Sequence, residues 1–117
     1  MKKYIVFLSV LLALLIAISA WNAGNQAAVI RPTLVFQENR VVCGLHIKTD
    51  TEDEFLHAVI RLWENGRCVA TWRETGIGFL QFSETIPAVP GRTYCLTVRV
   101  NISGRKLPQM SVENVYE

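Results

Sequence analysis

The residues with chemistry to offer are few and scattered. Three cysteines (Cys43, Cys68, Cys95), two histidines (His46, His57) and one dense acidic run (Asp50, Glu52, Asp53, Glu54) are the groups that could supply a nucleophile, a proton relay or a metal site. A nucleophile needs a base within hydrogen-bond reach, and His57 beside Cys95 or Ser83 is the pairing to test. No Gly-x-Ser-x-Gly turn accompanies it. The acidic run offers hard oxygen ligands, but Phe55 stands where an EF-hand loop needs glycine, and no bidentate glutamate closes a ligand ladder. It reads as a solvated connection between strands. The histidines lie apart, with no neighbouring cysteine pair to complete a zinc pattern. Glycine-rich phosphate loops and dinucleotide fingerprints are missing. The expectation is a non-enzyme with no cofactor and no metal, a small hydrolase being the least favoured alternative.

Binding is the better-supported chemistry. Arg61, Trp63, Arg67 and Val69 alternate onto one outer face of a hairpin, and Arg99 and Thr97 join them if a later strand lies alongside. Exposed Trp and Arg are common binding anchors. They can stack on a sugar, clamp an anionic cell-wall glycopolymer, or bury against a protein partner or a second copy. The competing reading is that Trp63 only shields the hairpin, stacked on Arg67 in a cation–π contact.

The elements that must hold these residues read as strands. From residue 32 onward, β-branched and aromatic runs alternate with turn residues every eight to twelve positions, the spacing of an all-β sandwich or barrel. Strands are expected at residues 33–37, 40–48, 55–63, 67–73, 78–85, 93–102 and 109–116. About seven antiparallel strands without internal repeats point to a small immunoglobulin-like β-sandwich. Alternation puts Val41, Cys43, Leu45 and Ile47 in the core, likewise Leu56, Ala58, Ile60 and Leu62, and leaves both histidines outward. Around Asn65-Gly66, a three-residue loop sets Leu62, Ile60 and Ala58 opposite Cys68, Ala70 and Trp72, an all-apolar match, so that register is expected.

The same parity turns Cys95 outward. It favours Cys43 with Cys68 for a disulfide and leaves Cys95 as a free thiol. A Cys43–Cys95 bridge would need a bulge to rotate Cys95, and absence of any internal bridge is the remaining option.

Ahead of the strands, Lys2-Lys3 and the uncharged apolar run of residues 4–20 make a signal peptide. Residues 1–20 are thus expected to be a hydrophobic signal helix, 21–31 a flexible lead-in and 32–117 the domain. Ala17-Ile18-Ser19 and Ile18-Ser19-Ala20 approach the small-x-small cleavage pattern imperfectly. An uncleaved segment of seventeen residues would reach about 25 Å, nearly a membrane span, with Trp21 at the interface. The protein is therefore expected to be secreted, or tethered to the outer face of the membrane through this segment alone.

The net charge of +2 belongs to the leader, since Lys2 and Lys3 are two of twelve basic residues set against ten acidic ones. A balanced domain gives no support to nucleic-acid binding.

Leu62-Trp63, Val69, Trp72, Gly76-x-Gly78, Phe82 and Gly91-Arg92-Thr93-Tyr94, in that order before an alternating strand, form an arrangement that resembles small uncharacterised secreted proteins of Firmicutes carrying a domain of unknown function. The resemblance runs from about Cys43 to the C-terminus. It implies an exported protein of a Gram-positive bacterium with a sandwich domain, and it brings no activity, cofactor or site residue with it.

Overall fold

The computed structural model describes residues 28–117; the leader with its expected signal helix, and the lead-in as far as residue 27, lie outside the described residues. Within them the chain forms eight strands and no helix: β1 (Ala28–Gln37), β2 (Arg40–Thr49), β3 (Phe55–Glu64), β4 (Arg67–Ile77), β5 (Phe79–Pro87), β6 (Thr93–Ile102), β7 (Arg105–Lys106) and β8 (Met110–Val115). They make two antiparallel sheets, one ordered β1-β2-β5 and the other β4-β3-β6 with β7 and β8 sharing the far edge of β6. The apolar faces of the two sheets meet across one core, giving an all-β, sandwich-like arrangement.

Alternation explains why. The residues expected inward on β2 and β3 are all buried, and they meet Ile30 and Leu34 of β1, Leu80 and Phe82 of β5, and Tyr94, Leu96, Val98, Val100 and Ile102 of β6. The strand expected at 33–37 begins at Ala28 instead, so residues 28–31 pair with β2 and are not a lead-in. Pro32 does not stop it, because β1 is an edge strand whose outer side asks for no N–H donor. β7 was not expected; Ser103 and Gly104 both take positive φ and fold it back on β6 as a two-residue turn.

The β3–β4 hairpin corrects the expected register. Its loop has two residues, Asn65 (φ 48°) and Gly66 (φ 83°), so Glu64 faces Arg67 and Trp63 faces Cys68. That pairing alone would turn Ala70 and Trp72 outward. A bulge one step further in restores them: the register shifts between Leu62 and Trp63, Val69 is the extra residue, and Leu62 then faces Ala70 and Ile60 faces Trp72. Both demands are met, a turn that matches strand twist and an apolar inner face. Only Cys68 is left on the other side.

Each open side of the sandwich is closed by aromatics. Trp72 of β4 lies 5.2 Å from Phe82 of β5 between ring centroids, and Phe36 of β1 stacks on Tyr116 at 4.8 Å. Between β4 and β5 the chain crosses sheets at Gly78 (φ 69°), where a Cβ would come within 2.7 Å of the Glu52 carbonyl oxygen. At the β5–β6 corner the Tyr94 hydroxyl accepts from the Val89 amide at 2.9 Å and donates to Glu64 Oε2 at 2.5 Å, while Arg92 pairs with Glu64 at 2.9 Å.

Candidate functional site

The outer face of the second sheet gathers most of the residues singled out by sequence. Because β3 lies between β4 and β6, the register lines them up in rows: Cys68, Trp63, Cys95 and Glu113, then Thr71, Arg61, Thr97 and Ser111, then Arg73, Val59 and Arg99, then Thr75, His57, Asn101 and Lys106. Trp63 is half-buried, and its Nε1 donates to Thr97 Oγ1 at 3.0 Å, which fixes the plane of the indole. Arg61 and Arg99 are diagonal neighbours across β3 and β6, about 7–8 Å apart by sheet geometry.

Arg67, expected on this face, does not belong to this group. It faces Glu64 at the hairpin end, where it acts electrostatically on that carboxylate, and the competing reading of Arg67 stacked on Trp63 loses its pairing. Val69, at the bulge, is 40% exposed.

The cysteines are all free thiols. Cys43 points into the core from β2, whereas Cys68 lies on the outer face of the opposite sheet, a consequence of the two-residue turn; the Cys43–Cys68 bridge favoured by simple parity is not formed. Cys95 is partly covered on the same outer face, and β6 carries no bulge that would turn it toward Cys43. Burial, and secondarily Glu113, raises the Cys95 thiol pKa, which makes it a poor nucleophile. His57 sits six residues along the strand from Trp63, the neighbour of Cys95, or about 20 Å away at strand spacing. Ser83 faces Gly44 on the other sheet. The histidine is thus brought to neither nucleophile.

Among the described residues no three His, Cys, Asp or Glu side chains converge as metal ligands would. In the acidic connection, Glu54 lies 3.7 Å from Arg105.

Sequence reasoning missed Arg73 and Lys106 on this face. Arg73 lies on an expected strand, where alternation alone places it outward. Lys106 depends on β7, whose sequence signal is the Ser103-Gly104 turn dipeptide. The face therefore carries Arg61, Arg73, Arg99 and Lys106 against a single carboxylate, Glu113. No protein-family model matches the chain, and no curated protein matches it.

Proposed function

We propose that this chain is an exported, non-catalytic binding module, an immunoglobulin-like sandwich that works at or outside the cell surface and engages an anionic glycopolymer through the outer face of the β4-β3-β6-β8 sheet. The observation that carries the reading is the composition of that face: four cations and one carboxylate, Glu113 at the Trp63 end, with a tryptophan whose ring plane is held by Thr97. Cations this close repel unless an anion lies between them, and an indole adds a surface for a sugar ring. The strand order and the Tyr94 hydroxyl bonded back to Val89 support the immunoglobulin-like assignment, in which a tyrosine ties down the same corner. The charged, then apolar, leader supports export, by cleavage or as a membrane tether. The spaced tryptophans and glycines support kinship with secreted Firmicutes proteins.

The test is retention of the purified protein on cell-envelope fractions. Trp63→Ala is expected to weaken retention by roughly thirtyfold, the effect of losing about 2 kcal/mol at a binding anchor. Retention unchanged in both Trp63→Ala and Arg61→Gln would remove this face from consideration. The competing reading, a structural protein that self-associates, draws on the exposed thiol of Cys68. It requires a mass that rises with concentration and falls on adding a reducing agent.

A further inference from the structure

The far edge of β6 is not paired along its whole length. β8 covers it as far as Val98, opposite Met110, and β7 resumes at Asn101, opposite Lys106. Between them Arg99 has no ladder partner on this edge, and the intervening chain is held to β6 where the Leu107 amide donates to the Val100 carbonyl at 2.9 Å and where the side chains of Arg99 and Gln109 meet. The result is a notch of about 360 Å³ on the outer face, lined by His57, Val59, Arg99, Asn101, Lys106 and Gln109.

The polar atoms of this notch are sorted by what they already do. Gln109 Oε1 accepts from Arg99 Nε at 3.0 Å, and Asn101 Oδ1 accepts from the Gly104 amide at 2.8 Å. Both amide oxygens thus already accept one hydrogen bond, and each amide orientation is set by the N–H it must meet. The lining offers a ligand several donors, the two terminal nitrogens of Arg99, the Lys106 ammonium and the NH₂ groups of Asn101 and Gln109, with the His57 ring beside them. Neither Arg99 nor Lys106 has a carboxylate within ion-pair distance among the described residues, whose two ion pairs join Arg92 to Glu64 and Arg105 to Glu54. Gln109 also holds the guanidinium plane, so little ordering is left to be done on binding.

We infer that this notch is an anion subsite that takes one oxyanion, a phosphate ester or a carboxylate, of the polymer lying across the sheet. The inference rests on the proposed role of this face. From Trp63 to His57 is about 20 Å at strand spacing, so a chain stacked on the indole would need several residues to reach the notch. Arg61 lies between the two and lines the path.

The experiment is an amide-resolved NMR titration of the full chain with sodium phosphate and, separately, sodium acetate, at ionic strength held constant with chloride. Saturable shifts centred on Arg99, Asn101 and Lys106 are expected. Tighter phosphate binding assigns a phosphate ester, and tighter acetate binding a carboxylate. Arg99→Gln should weaken the anion by about tenfold, the effect of losing charge-assisted hydrogen bonds, while Arg31→Gln on the opposite sheet should change nothing. Non-saturating shifts spread over both sheets and unaltered in Arg99→Gln would overturn the inference. If the notch fails while the envelope still retains the protein, the subsite alone falls. If the notch saturates and envelope retention is absent, the polymer falls and the anion site stands.

Discussion

Cys43, Cys68 and Cys95 share a side chain and differ in everything the fold does to it. Burial in the core, with Glu84 adding a smaller effect, pushes the Cys43 thiol up to about 12, so it stays protonated and unreactive. Cys68 is exposed, its sulfur 3.6 Å from Thr71 Oγ1. Iodoacetamide is expected to label Cys68 first, Cys95 slowly, and Cys43 only after denaturation, as read by mass spectrometry of timed aliquots. Glu64 is the other residue remade by its neighbours: the hydrogen bond from Tyr94, then Arg92, holds its pKa below the usual carboxylate range. A lowered folded-state pKa stabilises the fold above the unfolded value and loses that contribution as pH falls through the folded one. Tyr94 is the mirror case. Burial, and then the bond to Glu64, raises its pKa, so its contribution is present below about 10 and fades as pH climbs past the folded value. Tyr94→Phe should cost about 1–3 kcal/mol at neutral pH by stranding the Val89 amide, and in thermal melts against pH it should flatten the acid limb.

The β3–β4 hairpin shows two local preferences satisfied by a device invisible to either. Asn-Gly favours a two-residue turn, the inner face favours Ala70 and Trp72, and Val69 is the residue that reconciles them. Deleting Val69 should therefore remove the bulge and leave every inward residue paired as before, with Trp63 facing Cys68 and Leu62 facing Ala70. Such a variant is expected to fold with a melting temperature close to the parent; loss of folding would contradict the turn-plus-bulge register. Gly66→Ala, forced to keep a positive φ, should destabilise by about 1–2 kcal/mol in chemical denaturation. The edge strands carry their own protection, since Glu74 of β4 and Glu84 of β5 occupy inward positions at the open side, where a second copy's strand would have to pair.

At the scale of the molecule, charge is segregated even though it balances. The outer face of β1-β2-β5 bears Arg31, Arg40 and Lys48 and no carboxylate, and the other outer face bears four cations and Glu113 alone. The remaining acidic groups lie in connections, on the edge strands β4 and β5, at the end of β3 (Glu64) and at the C-terminus. An extended anion therefore meets positive potential on either broad face of a neutral domain. Binding to envelope polymers should weaken steeply between about 50 and 200 mM salt, whereas a contact made by Trp63 alone would not.

Composition and alternation by themselves determined the all-β class, the inward and outward sets of β2, β3 and β6, and the presence of Trp63 and Arg61 on one face, because period-two patterning is a local property of the chain. They did not reveal that Cys68 and Arg67 leave their expected sides: the two-residue turn sets those sides, and the bulge that keeps Ala70 and Trp72 inward all the same depends on what the partner strand buries. Nor did they reveal Lys106 beside Arg99, or the notch between β7 and β8, since those depend on which strands share an edge of β6. Balanced charge is a sum over sequence. Only strand pairing in space decided that most of the cations line the two outer faces and that every carboxylate but Glu113 lies off them.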